Sequence, residues 1–306
     1  MNRFLLVTLI ATTAWGAERP TAPWPPPQTI RAIIDTDIAT EIDDQYAMAA
    51  ALGFPDRIKL EGFVGAHFGD QGGASAIGRS VDELHNMLRL ARMTGKFPVK
   101  AGAHPFQYRN LIPSSEGVDF IVEKARASTP EDPLWLIALG PATNAAAALL
   151  KDPTIAGKMV VMWHGRTQWP LRAWNFNAYN DILAARLLFE LPCRLILFDT
   201  GTFLRIPMEE TERRYSKLGP VGNYLHERRK ISKGFMVPTK GFFDLGDIVA
   251  VLDPSAVQWE RVIAPGVDQG LNYNFARKNG EIVRIYHVDT KRSFDVLEEA
   301  LKRLPQ

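Results

Sequence analysis

Five carboxylates, Asp35, Asp37, Glu41, Asp43 and Asp44, fall within ten residues, directly after the apolar run Ala32-Ile33-Ile34. Like charges held about 4 Å apart repel by roughly 4 kcal/mol per pair at an effective dielectric near 20. No Lys or Arg lies between Ile33 and Asp56 to offset this. Either the acids diverge into water or a hard cation sits among them, and carboxylate oxygens suit Ca²⁺ or Mg²⁺. Lesser roles exist for single members. Asp43 or Asp44 at a helix start gains about 0.3–1 kcal/mol from the helix dipole, and Thr40 with Asp43 has the spacing of a capping box. Neither role uses five acids. An EF-hand loop is excluded, because its alternating oxygen ligands and sixth-position Gly meet Ala39 and Thr40 here.

The elements that must position these acids follow from the hydrophobic pattern. Ala32–Ile34 reads as a short strand, and Asp43 opens an Ala-rich helix through Leu52 that Gly53 stops. Strands at 60–64, 99–101, 134–139, 160–163, 194–198 and 282–288 then alternate with helices at 76–92, 120–127, 144–150, 182–190, 247–252 and 293–304. Repeated βα units predict one α/β domain with a mostly parallel central sheet and helices on both faces. Such sheets bind ligands at the carboxyl ends of their strands, where Asp35-Thr36-Asp37 lies. Residues 203–242 are more polar and are expected to form a helical insertion or lid near the site.

The chain has 306 residues and a net charge of +2, with no basic stripe, so nucleic acid is not an expected partner. Residues 1–17 have the short basic start, apolar core and small-residue end of a secretory signal, too short to span a bilayer. Residues 18–29, rich in Pro, read as an extended tether and 30–306 as the folded domain. A periplasmic or secreted protein is expected, with no membrane contact after cleavage. The single cysteine, Cys193, has no internal disulfide partner and reads as a buried thiol.

Ile34-Asp35-Thr36-Asp37, followed by Ile42-Asp43-Asp44, resembles the opening of the inosine-uridine-preferring nucleoside hydrolases. Further segments fall in that family's order. Leu139-Gly140-Pro141-Ala142-Thr143-Asn144 is similar to its Gly-Pro-Leu-Thr-Asn signature, Asn175-Phe176-Asn177 to its Glu-Phe-Asn segment, and Phe243-Asp244 sits where it has His-Asp. The resemblance spans about residues 30–300. It implies cleavage of the N-glycosidic bond of a ribonucleoside or related riboside with one Ca²⁺, held by Asp37, Asp44, the Leu139 carbonyl and Asp244. It implies that Asp37 is the base for the attacking water, Asp43 a ligand of a sugar hydroxyl, and Asp35 a support for the loop. It also implies a dimeric or tetrameric assembly.

Two departures bear on the chemistry. The family's Glu is Asn175, an amide that hydrogen-bonds sugar but takes no proton, while Asn177 keeps its match. The His that would protonate the leaving base is Phe243. His67, after the second strand, and His164, after the fifth, are the remaining histidines expected to reach the substrate. Two other readings stay open: a binding protein that keeps the metal and the sugar but does not turn over, and a Mg²⁺-dependent phosphatase with Asp35 as nucleophile, against which Ala39 counts, because that family prefers Thr there.

Overall fold

The computed structural model describes residues 18–201, 203–231 and 241–306. The expected signal peptide and residues 232–240 of the expected lid lie outside them. The sheet has eight strands: β1 (Ile30–Thr36), β2 (Ile58–Gly65), β3 (Val99–Ala101), β4 (Leu134–Ala138), β5 (Met159–His164), β6 (Arg194–Phe198), β7 (Val257–Ile263) and β10 (Glu281–Val288). Their order is β3-β2-β1-β4-β5-β6-β10-β7. Only the edge strand β7 runs antiparallel, paired to β10. A two-stranded ribbon, β8 (Gly266–Val267) and β9 (Tyr273–Asn274), lies beside it in sequence.

This order dictates where a ligand can sit. From β1 the chain winds outward through β2 to β3, then crosses back to β4 and winds the other way. Adjacent crossovers from β1 and β4 therefore leave to opposite faces and open a crevice beyond the carboxyl ends of those two strands. Asp37 follows β1 and Leu139 follows β4, so both lie at the crevice. The backbones are tied there by Leu139 N–H, which donates to the Asp35 carbonyl at 2.8 Å.

Alternating strand residues feed two cores. Ala32, Ile34, Trp135, Ile137, Val160, Met162, Ile196 and Phe198 point to one face. There they meet α1 (Asp43–Leu52), α2 (Ala76–Leu90), α8 (Gly219–Ile231), α9 (Leu245–Leu252) and α10 (Thr290–Arg303). Ile33, Leu134, Leu136, Val161, Leu195 and Leu197 point to the other, against α3 (Glu116–Arg126), α4 (Thr143–Lys151) and α6 (Ile182–Glu190). Every residue of α1 is buried, including Asp43 and Asp44. Its alanines let α9 and α10 approach closely. Gly53 serves the same end. Its φ is −76°, so no left-handed turn requires glycine; instead a Cβ there would lie 2.5 Å from the Ala300 backbone of α10.

The strip expected to be a tether packs against the domain. The Arg19 guanidinium donates to the carbonyls of Cys193 (2.8 Å), Phe189 (2.7 Å) and Asn279 (2.7 Å), and Ala22 and Trp24 join the first core. A buried cation that satisfies three carbonyls and an indole covering apolar surface outweigh the lack of regular structure. Within the polar insertion, α7 (Met208–Tyr215) and α8 form, and Arg229 of α8 is fully buried against the Phe242 ring. No described helix is long and apolar enough to cross a membrane.

Candidate active site

A cavity of about 400 Å³ opens at the crevice, lined by Asp37, Asp43, Asp44, Leu139, His164, Arg166, Asn175, Asn177, Phe243 and Asp244, among others. Asp43 and Asp44 lie in the first turn of α1 and Asp244 immediately precedes α9, so acids from opposite ends of the chain meet here. Oxygens of Asp43, Asp44 and Asp244 all lie within 4.8 Å of one another. Asp37 lines the same cavity just outside this triplet. It fits because residue 140 is glycine: a Cβ there would stand 2.9 Å from Asp37 Oδ1.

The electrostatics of the cluster are those of a site short of positive charge. Burial, followed by the repulsion of its neighbours, lifts Asp37 to about 8 and Asp43 to about 8. Asp44 and Asp244 are raised strongly for the same two reasons. Asp44 is held by the Thr36 hydroxyl and contacts the Asp244 carboxyl directly. Two carboxyls in contact inside a protein must share a proton or a cation. An all-oxygen donor set of acids and a carbonyl fits a hard divalent ion. Asp43, Asp44 and Asp244, with Asp37 and the Leu139 carbonyl beside them, are the groups able to hold it.

Asp35 lies beneath, fully buried in β1. It accepts a bond from Asn144 Nδ2 at 2.9 Å, while Asn144 Oδ1 accepts from Ala103 N–H at 2.8 Å. Its other oxygen has no partner, and burial raises it to about 7. A supporting position is what the sequence predicts for it. No side chain caps α1, whose N-cap is Ile42, so the capping-box role for Thr40 and Asp43 does not form.

The asparagines divide. Asn177 donates through Nδ2 to the Leu139 carbonyl (2.6 Å) and the His164 carbonyl (3.0 Å), locking the ends of β4 and β5 together. The Leu139 oxygen keeps a second lone pair for a cation. Asn175, expected to contact substrate, is committed to the protein. Its Oδ1 caps the short helix α5 (Phe176–Asn180) by accepting from Ala178 N–H, and its Nδ2 donates to the carbonyls of Gly165 and Ala173.

The histidines divide too. His67 is not among the residues lining the cavity. Its Nδ1 accepts from Gly69 N–H (3.1 Å), so the proton sits on Nε2, which donates to Thr143 Oγ1 (2.7 Å); that hydroxyl donates to Asp181 Oδ2 (2.7 Å). Burial, with the nearby His104, pushes His67 down to about 4, so it stays neutral inside this chain of bonds. Thr143, the first residue of α4, is the middle link. His164 does line the cavity, with Nδ1 2.6 Å from Asp247 Oδ2 and 3.4 Å from Asp244 Oδ1. Asp247 escaped the sequence reading. The available signal was a lone acid inside the apolar helix Leu245–Leu252, where a fully buried carboxylate needs a partner. Arg166 escaped it as well. Trp163 is core, its indole N–H bonded to the Gly140 carbonyl at 3.1 Å.

Comparison with known proteins agrees with this fold. Solved structures with the same fold include a plant nucleoside hydrolase (TM-score 0.68, 21% identity, covering 90% of this chain and 99% of that one). A purine-preferring ribonucleoside hydrolase from Gardnerella vaginalis gives a TM-score of 0.67 at 20% identity, covering 89% and 98%. An inosine-uridine preferring nucleoside hydrolase from Bacillus anthracis gives 0.66 at 16%, covering 90% and 100%. No protein of curated function matches in sequence. The profile of the inosine-uridine preferring nucleoside hydrolases matches residues 32–295. The chain belongs to that family, and is an N-glycosidase acting on nucleosides.

Proposed function

We propose that the protein is a Ca²⁺-dependent ribonucleoside hydrolase, exported from the cytoplasm, with Asp37 as the base that activates water. The observation that carries this reading is the meeting of Asp244 with Asp43 and Asp44 in a buried, oxygen-lined cavity next to Asp37. The chemistry supplied by bound Ca²⁺ would be acidification of a water and an electrostatic grip on the ribose hydroxyls. Asp37 accepts the proton of that water as its oxygen attacks the anomeric carbon. Without a cation, burial and the neighbouring acids raise Asp37 to about 8; a neighbouring cation pulls it lower, so that the carboxylate needed to take the proton is available at neutral pH. Asp43 accepts from a sugar hydroxyl with the oxygen not bound by Phe243 N–H. Asn177 presents its Oδ1 to the same sugar. Export rests on the secretory pattern of residues 1–17.

The test is a panel of ribonucleosides assayed for free-ribose release with Ca²⁺ and with chelator. Release that requires Ca²⁺ and vanishes in Asp37→Ala is the expected result. Turnover unchanged by chelator, or intact in that variant, refutes the assignment.

A further inference from the structure

The geometry points to Arg166 as the catalytic residue that receives the leaving group, stabilising it as an anion. This inference rests on the hydrolase reading above.

Two departures from the family pattern converge on this one side chain. Phe243, standing where a proton donor is expected, offers its ring to Arg166, whose guanidinium carbon lies 4.5 Å from the ring centroid. Asn175, standing where a Glu is expected, donates to the carbonyl of Gly165, the residue before Arg166. Gly165 N–H is bonded in turn to the Phe198 carbonyl at 3.1 Å. The backbone that carries Arg166 is therefore pinned from both sides, and the guanidinium rests on a flat aromatic seat. Asp199, which accepts from Thr167, the residue after Arg166, is paired with Arg284. Among the described residues lining the cavity, Arg166 is the one Lys or Arg, and it forms no ion pair or hydrogen bond with a described residue.

A leaving base departs either neutral, after receiving a proton, or as an anion whose charge is neutralised. His164 is the one histidine among the described residues lining the cavity, but its Nδ1 is bound among Asp244 and Asp247, on the acid side of the cavity. Guanidinium stays protonated at every pH of interest. It gives no proton, yet supplies full positive charge and a planar fork of N–H donors. The step balances without an acid. Water oxygen bonds to the anomeric carbon and its proton goes to Asp37. The C–N bond breaks and its electron pair stays on the base, which leaves as an anion against Arg166. Solvent protonates the base after release, and Asp37 returns its proton to solvent. The substrates this suits are ribosides whose leaving group spreads negative charge onto a carbonyl or ring nitrogen that the fork can bind.

The experiment compares uridine with 4-nitrophenyl riboside, whose leaving group is already a stable anion, in the Ca²⁺-loaded wild type, Arg166→Met and Arg166→Gln. Thermal unfolding checks that both variants fold. Both should lose about 10²–10³ in kcat/KM on uridine, the size of one lost transition-state donor, but less than about tenfold on the nitrophenyl riboside. Equal losses on the two substrates, no loss on uridine, or wild-type turnover confined to the nitrophenyl riboside would overturn the role of Arg166. Hydrolysis of neither by the wild type would overturn the hydrolase reading instead.

Discussion

The backbone N–H of Phe243 donates to Asp43 Oδ2 at 3.1 Å, so the residue before Asp244 is clamped to the residue before Asp44. This hydrogen bond helps fix the spacing of the two helix starts, and hence of the acids that could hold a cation. Asp43→Asn keeps an acceptor for that N–H but removes a charge. We expect its metal-free melting temperature to stay at or above the wild-type value, because a buried repulsion is relieved. Its Ca²⁺ affinity should fall at least tenfold by calorimetry. Wild-type affinity in this variant would show that Asp43 plays no part in holding the cation.

The raised carboxyls predict how stability depends on pH. Asp35, Asp37 and Asp43 stand at about 7, 8 and 8 in the folded, metal-free protein, against about 3.8 unexposed to any such burial. Between those limits the folded state binds more protons than the unfolded one, so stability falls as pH rises from about 4 to about 8. A cation removes the cause, since it stabilises the ionised form. With chelator, the melting temperature should fall steadily from pH 5 to pH 8. With saturating Ca²⁺ it should fall much less, the remaining slope coming from Asp35, which lies outside the donor set, and the stabilisation by Ca²⁺ should be largest at pH 8. A Ca²⁺ shift that is equal at both pH values would contradict the burial of these acids.

What was legible in the sequence was whatever repeats a simple period or crowds like charges. The central strands β4, β5 and β6 are nearly continuous apolar runs because both faces are covered, and the pattern marks them to within a residue, while β1 extends about two residues beyond its apolar stretch at each end and β2 about two at its start. The edge strand β7 is not marked, because only part of its surface is buried and Gln258, Glu260 and Arg261 interrupt its apolar pattern. The acidic cluster announced itself through unbalanced charge. The partnerships that complete it did not. Asn144 looks from sequence like a helix-start residue, yet it bridges Asp35 to Ala103. Asp247 shows in sequence as an acid in an apolar helix, but its partner His164, like the Phe243 seat of Arg166, is more than seventy residues away, and no local spacing encodes that.

His67 illustrates the opposite error, a reactive residue type held in a structural role. His67→Ala would strand the partly buried Gly69 N–H and remove a donor from the buried Thr143 hydroxyl. Each stranded group costs about 1–3 kcal/mol. With the Gly69 N–H only partly buried, the variant should lose about 1–4 kcal/mol by urea unfolding while kcat/KM per folded molecule on a ribonucleoside stays close to wild type. A specific loss in KM with stability unchanged would return His67 to the substrate site.

The N-terminal strip offers a stability test independent of any chemistry. Trp24 is 6% exposed and belongs to the first core. Removing a buried aromatic side chain costs about 3–5 kcal/mol, through lost transfer energy and the cavity left behind. A tether that merely spans from an export signal to the domain would pay nothing. Trp24→Ala should therefore lower the urea midpoint without changing the slope, and Arg19→Ala should act in the same direction, since it leaves the carbonyls of Phe189, Cys193 and Asn279 without their shared donor. If both variants unfold like the wild type, residues 18–29 contribute no stability, and the domain begins at β1.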